Sequence, residues 1–293
     1  MKNHLKLIRV KHYIKNLLIF FPLVFSHSVF NFALYDKLII GFLSFSLYAS
    51  ITYILNDIHD IEHDKRHEYK KFRPLASGAI SKKSAYIFLG VILLINIILN
   101  IWLFKIINSV IVLLIPVFYL IINILYSKWL KHLPIIDVFV IAFGFFLRVV
   151  YGALLINVEL SNWFSLLIIF GSLYMGFGKR RNELIKSDKK IASTREVLAK
   201  YNKEFLDKNM YLCLSAVIIF YSLWCMDQNV SQTINNSYLI FTVPYFALIL
   251  LYYNLSVESG SSGDPVEVIL ENKLLIVLIF GFAVLMFLIL YVL

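Results

Sequence analysis

Asn56-Asp57-Ile58-His59-Asp60-Ile61-Glu62-His63-Asp64-Lys65-Arg66-His67-Glu68-Tyr69-Lys70-Lys71-Phe72-Arg73-Pro74-Leu75-Ala76-Ser77-Gly78 follows an apolar run long enough to cross a bilayer. At least four carboxylates and five cations therefore sit where a membrane helix meets water. On a helix turning about 100° per residue, Asp57, Asp60 and Asp64 fall within roughly 60° of arc. Like charges on one face repel, and a divalent cation relieves the repulsion. Carboxylate oxygens suit Mg²⁺, which commonly takes one or two protein carboxylates, keeps waters, and draws its remaining oxygens from substrate phosphates. The basic run from Lys65 to Arg73, with Lys70 inside it, can then grip what the metal leaves uncompensated. The stretch predicts a membrane-face site for a magnesium-bound diphosphate. A solvated helix end is the plainer alternative, but it gives no reason for three aspartates on one arc with Asn56 at their border.

The surroundings are those of a polytopic membrane protein. The chain has 293 residues, 60% of them hydrophobic, with 25 Phe and a mean hydropathy of +0.78, well above the soluble norm. The pattern predicts nine spans, at about 17–34, 38–55, 85–105, 108–126, 134–156, 162–178, 210–227, 237–255 and 274–293. Basic residues gather on alternate loops: Lys2 to Lys15, Lys65 to Lys83, Lys128 and Lys131, Lys179 to Lys208, and Lys273, against Lys37 and Lys105 on the other side. That asymmetry predicts a cytoplasmic N-terminus. The first apolar run has no small-residue cleavage site and is expected to be a retained span. The formal net charge of +10 does not indicate nucleic acid, because the loops lack interleaved aromatics. Cys213 and Cys225, the only cysteines, fall roughly 18 Å apart on one predicted helix and cannot bridge within the chain.

Other polar positions carry two readings each. Lys15 and Asn16, at the mouth of the first span, are a snorkelling anchor or phosphate ligands. Asp137 and Arg148 share a face of the fifth span but lie some 16 Å apart, so each must serve a ligand or a neighbouring helix. Lys179, Arg180 and Arg181 are topology determinants or anion ligands, and Glu183 among them is harder to assign to topology. His59, His63 and His67 recur every four residues, but they lack the His-Glu-x-x-His order of a zinc hydrolase. Glu258 to Pro265 is a small flexible loop, either an anion-binding concavity or a plain turn. No GxxxxGK pattern occurs, which excludes a P-loop nucleotidase. Long polar loops at about 56–84 and 178–209, four helices apart, suggest two four-helix pseudo-repeats plus a ninth helix.

Asn56-Asp57-x-x-Asp60-x-x-x-Asp64 resembles the first aspartate-rich motif of the UbiA-type intramembrane prenyltransferase superfamily. The resemblance implies one nine-helix, all-α transmembrane domain over residues 1–293, with two aspartate-rich loops after the second and sixth helices. Further stretches are similar to its decaprenyl-phosphate phosphoribosyltransferase branch: Arg9 through Lys15-Asn16 and Pro22; Arg66-His67, Lys70 and Arg73-Pro74 with Ser77-Gly78; Tyr126-Ser127 and Leu130-Lys131 with Asp137; Gly144 and Leu147-Arg148; Gly178-Lys179-Arg180 with Glu183-Leu184; and Glu258 with Gly260, Gly263 and Pro265. Glu68 and Tyr13 depart from that branch, which often has Pro and Trp there. The second aspartate cluster is replaced by Lys179, Arg180 and Arg181, which favours a donor carrying an extra phosphate.

That resemblance implies transfer of a 5-phosphoribosyl group from 5-phosphoribosyl 1-diphosphate to a polyprenyl phosphate, with Mg²⁺ as cofactor, at the cytoplasmic face of the cell membrane. The product would feed a lipid-linked pentose or cell-envelope glycan pathway. Asp57, Asp60 and Asp64 are the expected metal ligands, Lys70 and Arg73 the stabilisers of the leaving diphosphate, and Asn56 its orienting group. Lys15, Asn16, Arg66, Tyr126, Lys131, Asp137, Arg148, Lys179, Arg180, Glu183 and Glu258 are the expected substrate-binding set. Membrane lipids surround the chain, and association into homo-oligomers is left open. A prenyltransferase acting on a quinone or haem precursor should carry a second acidic cluster. A transporter of phosphorylated solutes should place ionisable groups near the membrane midplane.

Overall fold

The computed structural model describes residues 2–66, 70–187, 196–227, 237–259 and 265–292. Among them are twelve α-helices, 3-10 segments and no strand. The helices are α1 Lys2–Ile8, α2 Phe21–Phe25, α3 Tyr35–His59, α4 Ile61–Arg66, α5 Lys82–Ile107, α6 Val110–Lys128, α7 Ile136–Ile156, α8 Asn162–Ser187, α9 Lys203–Cys225, α10 Val243–Glu258, α11 Pro265–Glu271 and α12 Lys273–Tyr291. The chain packs as two compact units. The first comprises Met1–Val24, Val29–Leu130 and Leu147–Glu159; the second comprises Phe25–Ser28, Lys131–Phe146 and Leu160–Leu293. Helix α7 begins in the second and ends in the first.

Local chemistry sets the helix ends. Ser81 accepts the Ser84 N–H at 3.2 Å and caps α5. Gly78, at φ +75°, lets the preceding turn reverse without a Cβ penalty. Asn202 caps α9 through the Phe205 N–H, and Asn272 caps α12 through the amides of Leu274 and Leu275.

Seven helical segments among the described residues are long and apolar enough to cross a membrane: Phe32–His59, Lys82–Ile107, Val110–Lys128, Ile136–Ile156, Lys203–Cys225, Tyr238–Glu258 and Lys273–Tyr291. Leu94, Ile98, Val277 and Phe280 are each more than 60% exposed. Apolar area of that extent on α5 and α12 is a liability in water and ordinary surface in lipid.

The expected count of nine is not reached in this sense, for two physical reasons. The first expected span is a 3-10 segment, Val10–Phe20, followed by the five-residue α2. At Gly152 of α7, an added Cβ would collide with the Ile19 carbonyl, so this segment lies backbone-close to the helix. The expected span at 162–178 is the start of a longer helix. α8 runs on to Ser187, and the charges of that extension keep it from qualifying as apolar.

Each unit has its own core. In the first, Leu7, Ile51, Ile54, Ile58, Leu75, Ile80, Ala85, Leu89 and Ile92 form a cluster that seats the end of α3 and the turn after α4. In the second, residues of α7, α8, α9, α10 and α12 pack around Leu173, Phe177, Met210 and Val257, joined by Val197, Leu198 and Tyr201 from the loop before α9.

Candidate active site

In the first unit the acidic stretch is broken rather than continuous. α3 stops at His59, Asp60 takes φ −93° and ψ 11°, and α4 restarts at Ile61. The expectation of three carboxylates on one helical arc is corrected here, because the break redirects Asp60. Its side chain is 30% exposed and pairs with His59 Nδ1 at 3.1 Å. Asp57 and Asp64, 3% and 2% exposed, are drawn together instead. Arg73 Nη1 donates to Asp57 Oδ1 at 3.2 Å and to Asp64 Oδ2 at 2.7 Å. Arg9 Nη2 donates to the same Asp57 oxygen at 2.5 Å, its guanidinium lying 4.8 Å from the Tyr53 ring centroid. Two buried carboxylates are thus roofed by two arginines that remain 23% and 28% exposed.

This donor set fits Mg²⁺ in kind. Asp57 Oδ2 and Asp64 Oδ1 accept no hydrogen bond from a described residue, leaving one hard oxygen on each acid. Among the described residues no three His, Cys, Asp or Glu side chains converge as a metal group. The metal would therefore depend on waters and ligand oxygens, as Mg²⁺ commonly does.

Around this corner, Asn56 is half-buried one residue before Asp57, and Lys70 begins the 3-10 turn Lys70–Phe72. Arg66 is exposed at the end of α4. His67 and Glu68 lie outside the described residues. Farther along the first unit, Arg148 is 6% exposed and donates to Asn16 Oδ1 at 2.8 Å and to the Tyr119 hydroxyl at 2.9 Å. Its guanidinium also lies 5.2 Å and 4.8 Å from the Phe45 and Tyr119 ring centroids. Asn16 in turn donates to Ser46 at 2.9 Å. Lys15 and Tyr126 are half-buried. Asp137 and Arg148 do not pair with each other, in line with their spacing along α7.

The second unit gathers Asp137, Arg180 and Glu183. The cations expected in a loop after the sixth span are in fact helical, and Arg180 is 1% exposed. Its Nε donates to Asp137 Oδ2 at 2.6 Å and its Nη1 to Glu183 Oε2 at 2.7 Å. The Tyr201 hydroxyl donates to Asp137 Oδ1 at 2.7 Å and accepts the Ile135 N–H at 2.5 Å. Burial, together with donation to that carboxylate, pushes the Tyr201 phenol above its ordinary range, so it stays a proton donor. Ile135 holds φ +69°, a costly conformation for a β-branched residue. Arg181 turns away to Asp207 at 2.5 Å. Lys179 and Lys131 are half-buried. Glu258 is held by the hydroxyl of Tyr211 and by Asn254 Nδ2, and Asn254 accepts from Tyr174 at 3.0 Å. Of the expected anion-binding loop, residues 260–264 lie outside the described residues.

Arg9, Tyr119 and Tyr201 escaped sequence-based assignment to the site. Arg9 and Tyr201 meet Asp57 and Asp137 from 48 and 64 residues away. One local signal existed for Tyr201: Val197, Leu198 and Tyr201 form an apolar patch inside an otherwise polar loop, and all three are buried.

The family model for the UbiA prenyltransferase family matches residues 18–268. The chain is 30% identical over 284 residues to the decaprenyl-phosphate phosphoribosyltransferase of Mycolicibacterium smegmatis, covering 94% of this chain and 88% of that one. It is 32% identical over 276 residues to the enzyme of the same name from Corynebacterium glutamicum, covering 94% and 82%. In fold it is similar to a UbiA homologue from Archaeoglobus fulgidus solved with GPP and Mg²⁺, at a TM-score of 0.66, 17% identity, and coverage of 99% and 100%.

Proposed function

The chain belongs to the UbiA prenyltransferase family, and from that premise we propose that it is a transferase moving the 5-phosphoribosyl group from 5-phosphoribosyl 1-diphosphate to a polyprenyl phosphate with release of diphosphate. The observation that carries the choice of donor is the 30–32% identity, over 94% of this chain, to proteins named for that activity. The cationic, helical Lys179–Glu183 segment supports it, since a prenyl diphosphate held through a second metal would call for acids there. The adopted topology is one transmembrane domain with nine spans in two four-helix pseudo-repeats plus a ninth, the N-terminus and active site facing the cytoplasm. α8 and the stretch from Val10 to Phe25 supply the two spans that lack a qualifying apolar helix.

In this proposal Asp57 and Asp64 would hold Mg²⁺, with Asp60 at the helix break outside that pair. When bound, the ion neutralises charge on the leaving diphosphate as a Lewis acid. The Arg73 N–H groups not used on Asp57 and Asp64, together with Lys70, grip diphosphate oxygens, and Asn56 orients them. These groups act where negative charge develops, which is where electrostatic stabilisation counts most. The bond from ribosyl C1 to the diphosphate oxygen breaks with its electron pair leaving on diphosphate, and an oxygen of the lipid phosphate bonds to C1. No general base is required, because the nucleophile is already an anion. Lys15, Asn16 and Arg148 are assigned to the acceptor phosphate, and Lys179 with Arg66, Tyr126 and Lys131 to the remaining phosphates. Asp137 and Arg180 act behind Glu183, and Glu258 completes the polar set of the second unit. The prenyl tail stays in lipid, where each CH₂ withdrawn would cost about 0.8 kcal/mol.

The test is to incubate the purified protein with labelled 5-phosphoribosyl 1-diphosphate, polyprenyl phosphate and Mg²⁺, then extract lipid. Label in the lipid fraction is the expected outcome. Label absent there, with transfer instead from a prenyl diphosphate to an aromatic acceptor, would establish the prenyltransferase alternative.

A further inference from the structure

Arg9 sits between α1 and the 3-10 segment Val10–Phe20 at φ 52° and ψ 51°, the left-handed region that a residue with a Cβ enters at a cost. Such a conformation persists where the surroundings over-determine it. Here the frame is Ser50 of α3, 0% exposed. Its Oγ donates to the Ile8 carbonyl at 3.0 Å, on one side of Arg9, and meets the Tyr13 hydroxyl at 2.8 Å, on the other. The serine shares its single proton between that carbonyl and the Ser46 carbonyl at 2.9 Å, so the Tyr13 phenol is the donor in the bond between the two hydroxyls. One buried hydroxyl thus ties down both flanks of the strained residue. α1 is fastened separately, by Leu7 at 0% exposure and by His4, whose Nε2 lies 3.1 Å from Ser84 Oγ. All of these residues belong to the first unit.

Ser50, Tyr53 and Asp57 follow at i, i+3 and i+7 and share one face of α3. The hydroxyl that fixes the backbone beside Arg9, the ring 4.8 Å from its guanidinium and the acid that receives its Nη2 are therefore in register. Arg9 is 23% exposed, and its other N–H groups donate to no described residue. An arginine released from this frame would leave the left-handed region and carry its charge into solvent on a long, many-rotamer side chain. We propose that Ser50 and Tyr13 are positioning residues of the diphosphate site: their hydrogen bond keeps Arg9 over Asp57, with its remaining N–H groups open to a diphosphate oxygen. Tyr13 departs from the phosphoribosyltransferase branch, where Trp is common, so the resemblance does not supply this phenolic hydroxyl. The inference rests on the diphosphate reading of the acid corner and deepens it.

The experiment titrates the full-length protein in detergent with inorganic diphosphate in the presence of Mg²⁺ and reads Kd by calorimetry, with Tm measured beside it. The proteins are the wild type, Ser50→Ala, Tyr13→Phe, Arg9→Ala and the double variant Ser50→Ala/Arg9→Ala. Loss of a charged donor in Arg9→Ala predicts about 10- to 100-fold weaker binding, and loss of one neutral hydrogen bond in Ser50→Ala or Tyr13→Phe about 2- to 10-fold. In the double variant the serine change adds nothing to Arg9→Ala, because it acts through that residue alone. Tyr13→Phe, which deletes one oxygen, carries the test if Ser50→Ala fails to fold. A merely structural role would lower Tm with Kd unchanged in both single variants, or weaken binding equally in the two Arg9 backgrounds, and either result overturns the inference while the diphosphate reading stands. A folded wild-type protein that binds no diphosphate overturns both.

Discussion

The acid corner of the first unit and the ion line of the second are built from the same unit, a guanidinium between two carboxylates, turned opposite ways out. In the corner, Asp57 and Asp64 are buried and Arg73 and Arg9 form the partly exposed roof. In the line, Arg180 is sealed in at 1% exposure and Glu183 forms the exposed end. The corner balances two negative charges with two positive ones, whereas the line is left one negative in excess. An arginine roof over acids can grip polyphosphate while the acids beneath take a cation. A carboxylate over a buried arginine presents an acceptor that repels phosphate. One pattern of residue types therefore gives two chemistries, and burial order decides which.

The strongest way to break this comparison is to remove the buried acid of the line. Asp137→Ala takes from the sealed Arg180 its buried carboxylate and should cost about 3–5 kcal/mol, seen as poor recovery and a lowered Tm in detergent. The corner should respond in activity rather than stability. Asp64→Asn or Asp57→Asn should lower transfer by about 10²–10³-fold with the protein still folded, and near-normal turnover in either would remove the metal assignment. Arg73→Lys sharpens the contrast further: an ammonium keeps the charge but cannot fork between two acids and a ligand, so donor KM should rise by about 10-fold. Smallest of all, Glu183→Ala should shift stability by less than about 1 kcal/mol, since its acid is at the rim. An unfolding penalty comparable to Asp137→Ala would mean that Glu183 is part of the buried frame.

Much of this was legible in the sequence because apolar run lengths and charge clusters are local. The ends of α5, α6 and α12 follow from hydropathy and caps, and the Asn56–Gly78 stretch announced itself by charge density. What escaped depended on distant partners. The extension of α8 looked like loop because Arg180 and Arg181 appear solvent-bound until Asp137 and Asp207, 43 and 26 residues away, are brought to them. The break at Asp60 has no Gly or Pro to mark it. The 3-10 course of Val10–Phe20 goes with its close approach to Gly152, far along the chain. Burial order, which separates the two clusters, is a tertiary property that residue spacing does not contain.

The most direct measurement is incorporation of label from 5-phosphoribosyl 1-diphosphate into extractable polyprenyl phosphate as Mg²⁺ is titrated and then removed with chelator, in the wild-type protein beside Asp64→Asn. The account predicts transfer that rises with Mg²⁺, stops in chelator, returns when Mg²⁺ is restored, and is nearly absent in the variant. Transfer that continues undiminished in excess chelator, or a wild-type protein that ignores the phosphoribosyl donor, would contradict it.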